Sequence, residues 1–223
     1  MRALPTPPLL IFDCDGVLID SEVIGCRAES ACLAAIGIAI SPDEIIDRYV
    51  GIAMAPMLAD LQSRLGQTLP ALPPDFADTM RRAVAAAFAA ELQPMPGILD
   101  LLHALPHRRC VASGSAPERL QQTLSLTGLL PQFAPHVFSA SQVARGKPAP
   151  DLFLFAARRM GVAAADCVVI EDSIPGVQAA VAAGMRTIGF TGGSHCRAGH
   201  AERLRATGAA AACNDLRDLL GLL

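Results

Sequence analysis

Leu9-Leu10-Ile11-Phe12-Asp13-Cys14-Asp15-Gly16 decides the fold. Four apolar residues in succession have the length and composition of a buried strand, and the run stops at two carboxylates and a glycine, where a polar turn must begin. The same design recurs further along. Arg109-Cys110-Val111-Ala112 runs into Ser113-Gly114-Ser115, Cys167-Val168-Val169-Ile170 into Glu171-Asp172-Ser173, and Thr187-Ile188-Gly189-Phe190 into Thr191-Gly192-Gly193, each followed by a helical pattern. Strands that are apolar throughout and separated by helices specify an α/β fold with a Rossmann-like parallel sheet covered on both faces. In such sheets ligands bind beyond the carboxyl ends of the strands. The polar turns are therefore expected to converge on one edge.

Residues 20–92 differ in kind. Their periodicity predicts helices over Glu22–Ile36, Pro42–Tyr49, Ala55–Leu65 and Asp75–Leu92, and no strand. Gly51 and the stretch Pro70–Pro74 break the helices, and Pro94-Met95-Pro96-Gly97 marks a return linker. The expected organisation is an α/β core of 1–19 and 93–223 carrying a helical insertion at 20–92.

A chain of 223 residues can hold one substantial core or two modest ones, since domains usually contain about 100–200 residues. Charged residues are 17% and hydrophobic residues 52%, the balance of a folded chain rather than a disordered one. A net charge of -3 gives no extended basic surface for nucleic acid and suits a small charged metabolite better. The longest apolar run is the eight residues Ala83–Ala90, far short of the roughly 20 needed to span a bilayer, and the N-terminus is not built like a secretory signal. Seven cysteines without a C-x-x-C pair read as reduced thiols packed as small hydrophobes. These features predict a cytoplasmic monomer with no membrane or nucleic-acid partner.

Asp13 and Asp15 sit where an apolar strand ends, so something must stabilise their charge. A hard divalent cation such as Mg2+ takes carboxylate oxygens and becomes useful if it also holds a phosphate. Asp13 is then placed to attack phosphorus, and Asp15 to give and take the leaving-group proton. Taken alone, D-x-D-G also fits a simple polar turn or a fragment of a calcium loop, although Val17-Leu18-Ile19 lacks the further oxygen ligands such a loop needs.

The stretch from Phe12 to Ser21, FDCDGVLIDS, resembles the first signature of the haloacid dehalogenase superfamily, in its phosphatase and phosphomutase branch. Val111-Ala112-Ser113-Gly114-Ser115 resembles the second, Gly146-Lys147-Pro148-Ala149-Pro150-Asp151 the third, and Ile170-Glu171-Asp172-Ser173 with Gly176 the fourth. The match covers nearly the whole chain, and four motifs in order are far more specific than any one. The resemblance implies a magnesium site formed by Asp13, the main-chain carbonyl of Asp15, and Asp172, with Glu171 in close or water-mediated support. Adjacent carboxylates at 171 and 172 would otherwise repel.

Ser113 and the N–H groups of Gly114 and Ser115 can hold phosphate oxygens. A helix cap is the competing role, assigned mainly to Ser115 because Ala116-Pro117-Glu118 follows it. Lys147, held between a glycine and a proline, supplies a cation for the nucleophile and the transferring phosphoryl group. The dehalogenases that name the superfamily lack the second aspartate, so Asp15 favours phosphoryl transfer.

The insertion stands where the β-phosphoglucomutase-like relatives carry a helical cap. The cap histidine and phosphate-gripping arginine of the sugar mutases fall at Gly25 and near Met54 here, which favours hydrolysis of a sugar or sugar-acid phosphate over mutase action. The cap segments also resemble those of 6-phosphogluconate phosphatases, and Glu22, Arg27, Gly51 and Met54, with Arg48, are the expected substrate-facing residues. A mutase and a non-catalytic binder on the same fold remain the alternatives. His195-Cys196-Arg197-Ala198-Gly199-His200 fits no common structural zinc spacing and is expected to be a solvated loop.

Overall fold

The computed structural model describes residues 7–52, 54–65 and 72–223. The chain's first six residues and the Pro70–Ala71 part of the expected break lie outside them. Strands β1 (Leu9–Phe12), β2 (Arg109–Ser113), β3 (Val137–Ser139), β4 (Cys167–Glu171), β5 (Arg186–Phe190) and β6 (Ala211–Cys213) form one sheet in the order β3-β2-β1-β4-β5-β6. Every pairing is parallel. The chain runs outward from β1 through β2 to β3, then returns to pair β4 with the other edge of β1. The order therefore reverses between β1 and β4, which opens a crevice at their carboxyl ends. The register Phe12↔Ile170 sets Asp13 beside Glu171 at that point, and the Asp13 N–H donates to the Ile170 carbonyl at 3.0 Å.

Helices α1 (Glu22–Ala35), α2 (Pro42–Tyr49), α3 (Met54–Leu65) and α4 (Phe76–Glu91) follow β1, and the described residues of 20–92 contain no strand. Helix α2 begins where expected because Ser41 accepts from the Glu44 N–H at 3.1 Å and Pro42 takes the first helical position. The four helices share a buried cluster that includes Cys26, Leu33, Ile45, Tyr49, Met57, Leu61, Phe76 and Met80. Two adjacent segments join them to the sheet. Asp20 N–H donates to the Gln93 carbonyl at 3.3 Å and Met95 N–H to the Leu18 carbonyl at 2.8 Å, so the return linker lies antiparallel to the exit.

Beyond that linker come α5 (Ile98–Ala104), α6 (Pro117–Leu126), α7 (Leu130–Phe133), α8 (Asp151–Met160), α9 (Ile174–Ala182), α10 (His200–Thr207) and α11 (Leu219–Leu222). Strand side chains alternate between two cores, as a two-residue period requires. Leu10, Phe12, Val111 and Ile170 pack with Leu101, Leu120 and Phe133 on one face, while Leu9, Ile11, Cys110 and Val169 pack with Leu152, Phe153 and Ala180 on the other. No helix among the described residues is long and apolar enough to cross a membrane.

Candidate active site

Three carboxylates meet at the switch point. Asp13 follows β1, Glu171 ends β4 and Asp172 follows it, and a carboxylate oxygen from each lies within 4.8 Å of the others, all buried. Lys147 faces two of them, its Nζ donating to Asp13 Oδ1 at 2.8 Å and to Glu171 Oε1 at 3.0 Å. Burial, then the charge of Glu171, pushes Asp13 up to about 8 against the opposing pull of Lys147. Burial, Glu171 and Asp13 together hold Asp172 well above the usual carboxylate range. Burial works against the Lys147 charge, yet Asp13 and Glu171 outweigh it and keep the ammonium protonated above its ordinary range. Three buried oxygen-donor side chains beside a single ammonium fit a hard divalent cation, which would remove the repulsion that raises Asp13 and Asp172.

Glycines make this packing possible. A Cβ at Gly176 would stand 1.3 Å from Glu171 Oε1, and one at Gly16, where φ is +77°, would stand 1.9 Å from Asp172 Oδ2. Ser173 ties Glu171 to the next helix, donating to Oε1 at 2.9 Å while accepting from the Gly176 N–H at 3.1 Å.

Asp15 points into a separate set of donors. Ser21 and Ser115 each donate a hydroxyl at 2.7 Å, and Arg119 a guanidinium N–H at 3.0 Å. Burial would raise its pKa, but Arg119 and the two hydroxyls outweigh that and hold it below the usual carboxylate range. Ser113 is buried, with its hydroxyl accepting from the Ser115 N–H at 3.1 Å, and Gly114 beside it is exposed.

The expectation that Ser115 caps the following helix is corrected. Ala116 occupies the cap position before Pro117, and the Ser115 hydroxyl turns to Asp15 instead. Arg119 was not singled out from the sequence. The signal was its place in the first turn after Pro117, on a helix that starts at the carboxyl end of a motif-bearing strand. Its guanidinium also lies 4.9 Å from the centroid of the Phe88 ring on α4.

Residues 195–199 form the expected loop, exposed at Arg197, Ala198 and Gly199, but the two histidines of the 195–200 segment are not solvated as expected. His195 is 4% exposed, with Nε2 at 3.0 Å from Asp172 Oδ2, and His200 Nε2 lies 2.5 Å from the Asp172 carbonyl oxygen. Glycines at 16, 192 and 193 let the chain fold this tightly. The group able to hold a metal among the described residues is Asp13, Glu171 and Asp172, not these histidines with Cys196.

On the helical side, burial and then Asp15 raise Glu22 to about 7, which sets this side chain among the site's charges. Gly51, at φ +81°, lies near Ser173, where a Cβ would come within 3.5 Å. Met54 starts α3 and packs partly buried against the helical cluster. Gly25 backs onto Phe88, at 3.8 Å from a Cβ there. Arg27 pairs with Glu91 and Arg48 with Glu44, all of them more than a third exposed.

The profile of the haloacid dehalogenase-like hydrolases matches residues 7–184. The chain belongs to the haloacid dehalogenase-like hydrolase family. A 6-phosphogluconate phosphatase of Escherichia coli (strain K12) is 32% identical over 186 residues, covering 83% of this chain and 83% of its own. A fructose-1-phosphate phosphatase of the same organism is 32% identical over 181 residues, covering 80% and 94%. Among solved structures, a conserved haloacid dehalogenase-like protein of unknown function from Agrobacterium tumefaciens str. C58 superposes with a TM-score of 0.86 at 38% identity, covering 97% of each chain. The four-motif resemblance and the Rossmann-like parallel sheet expected for the family are both borne out.

Proposed function

We propose that this haloacid dehalogenase-like hydrolase is a magnesium-dependent phosphatase that hydrolyses a small sugar phosphate or sugar-acid phosphate through an aspartyl phosphate on Asp13. One observation carries the proposal: Asp13, Lys147, Glu171 and Asp172, drawn from distant parts of the chain, meet at the sheet's switch point, with Asp15 held separately two residues from Asp13. The two phosphatases reported above support the substrate class.

Mg2+ held by Asp13, Asp172 and the Asp15 carbonyl, with Glu171 in support, would offset charge on the transferring group. Asp13 attacks phosphorus in line, and the bond to the leaving oxygen breaks as Asp15 delivers a proton to it. Water then attacks the aspartyl phosphate, with Asp15 taking the water's proton, and phosphate and free Asp13 result. Lys147 offsets the nucleophile's charge, while the Ser113 hydroxyl and the Gly114 N–H hold phosphoryl oxygens. As found, Asp15 is ionised by Arg119, the form that accepts a proton. For the first step Asp15 must therefore take up a proton from solvent before it gives one to the leaving oxygen.

Helices α1–α4 serve as the cap, with Glu22 and Gly51 facing substrate and Met54 at the cap's edge, and can exclude water when closed. The positions expected for a mutase's cap histidine and arginine fall at Gly25 and near Met54, which favours hydrolysis over isomerisation. The complete carboxylate, serine and lysine set favours an enzyme over a binding protein, and free cysteines suit a cytoplasmic setting. The test is phosphate release with and without Mg2+ across phosphorylated sugars, sugar acids and nucleotides. Mg2+-dependent release, abolished in Asp13→Asn, is expected. Near wild-type turnover in that variant, or an isomer in place of free phosphate, would overturn the proposal.

A further inference from the structure

Two histidines of the segment after β5 touch Asp172 and have no part in the cycle above. We propose that His195 is a positioning residue for Asp172, fixing that carboxylate toward the bound cation, with His200 holding the main chain of the same residue. This rests on the proposal that Asp13, Glu171 and Asp172 take a divalent cation.

The direction of each hydrogen bond is fixed by chemistry. A divalent cation on Asp172 would keep it ionised, and an ionised carboxylate only accepts, so His195 Nε2 donates to Asp172 Oδ2 at 3.0 Å. A carbonyl also only accepts, so His200 Nε2 donates to the Asp172 oxygen at 2.5 Å. The second nitrogen of His200, Nδ1, then accepts from the Arg203 guanidinium at 3.1 Å. Arginine has no acceptor to offer, so the relay from Arg203 through His200 to Asp172 sets the His200 tautomer.

The His195 ring is held in place by its walls. A Cβ at Gly16 would come within 2.8 Å of its Cε1, and one at Gly193 within 2.8 Å of its Nδ1. Beyond Asp172, its polar neighbour is the Cys196 sulfur, 3.5 Å from Nε2. Its Nδ1 is buried and has no hydrogen-bond partner among the described residues. A residue present only to fill this space would be better as leucine, which leaves no buried nitrogen unpaired. What the imidazole adds is one N–H directed at one oxygen of Asp172. That bond restrains the rotation of the carboxylate and leaves Oδ1 free to face the cation. Groups that orient a metal ligand in this way typically change metal affinity about 10–100-fold when removed.

The test uses the full chain and Mg2+ titrated calorimetrically, with the Mn2+ electron-spin signal as a second readout. His195→Leu fills the buried space without the donor, and His195→Gln restores an N–H near the same place. His195→Leu is expected to bind Mg2+ about 10–100-fold more weakly, to broaden the bound-Mn2+ signal, and to keep the wild-type circular dichroism, while His195→Gln recovers most of the affinity. A folded His195→Leu chain with wild-type Mg2+ affinity would overturn the inference, as would a His195→Gln chain no better than His195→Leu. Failure of the wild-type chain to bind any divalent cation would instead remove the metal site on which it rests, so the two failures are told apart.

Discussion

Asp15 and Arg119 are joined by an ion pair at 3.0 Å, with the arginine arriving from the first turn of α6 and stacked over Phe88 of α4. The pair couples the proposed acid–base group to the packing of α4 against the sheet residues Leu10, Phe12 and Val111. It also decides the protonation state of Asp15, since burial alone would raise this carboxyl and Arg119 brings it down.

Replacing Arg119 by methionine is therefore expected to raise the Asp15 pKa. Loss of an adjacent opposite charge shifts a carboxyl by about 1–3 units. The acidic limb of the pH–rate profile of the dephosphorylation half-reaction, which needs ionised Asp15, should move to higher pH by an amount in that range. Pre-steady-state hydrolysis of the phosphorylated enzyme measures it, and an unmoved acidic limb would show that Arg119 does not govern Asp15.

Metal removal should make stability depend on pH through Asp13. Its folded pKa of about 8 stands above the ordinary aspartate value of 3.8, so its protonated form contributes stability that is fully present below pH ~4 and is lost as pH rises through 8. The metal-free chain should accordingly lose Tm between pH 5 and 8, and Asp13→Asn should flatten that fall. Mg2+ at about 100 times its Kd adds about 2.7 kcal/mol, or about 5–10 °C for a chain of this size. Its gain should be larger at pH 8 than at pH 5. Differential scanning fluorimetry with and without chelator reads both effects.

Gly176 and Gly16 are expected to tolerate no side chain. In Gly176→Ala the new methyl would overlap Glu171 Oε1 at 1.3 Å, and the carboxylate that Lys147 and Ser173 hold must swing out. Overpacking of this kind costs about 1–3 kcal/mol. Gly16→Ala adds an unfavourable φ of +77° to an overlap with Asp172, so its loss of Tm should be the larger of the two. A Gly176→Ala chain with wild-type Tm and Mg2+ affinity would mean that Glu171 is not confined as the structure shows.

Much of this architecture could be read directly from residue order. Each strand recognised from an apolar run, such as Leu9–Phe12 and Cys167–Ile170, is present and ends in the polar turn expected of it. The two strands missed, Val137–Ser139 and Ala211–Cys213, are the sheet's edges and only three residues each. The first is too short for a period to register, and the second is hidden in an alanine run with little strand preference. The site's acidic centre was legible because carboxylates at strand ends are conspicuous. Arg119, Ser115 and His195 were not, because their roles depend on which way a loop turns after it leaves the sheet. For His195 the determinants are glycines whose close contacts exist only in three dimensions.

Glu22, at the start of α1, provides a test of how the proposed cap treats charge. Burial, then Asp15, raises its pKa to about 7, so its protonated form contributes stability that is present below pH ~4.5 and lost as pH rises through 7. Glu22→Gln removes a desolvated charge at pH 8 and should raise Tm there by about 2–4 °C, the shift that corresponds to about 1 kcal/mol in a chain of this length, while leaving Tm at pH 4 unchanged. The same substitution removes a negative charge from the face proposed to meet substrate. The KM for a sugar-acid phosphate, whose tail is anionic, should fall relative to that for a neutral sugar phosphate, because only the anionic tail is repelled by an ionised Glu22. Equal changes in KM for both substrates would place Glu22 outside the substrate's reach, while an unchanged Tm at pH 8 would show that its charge is not desolvated in the folded chain.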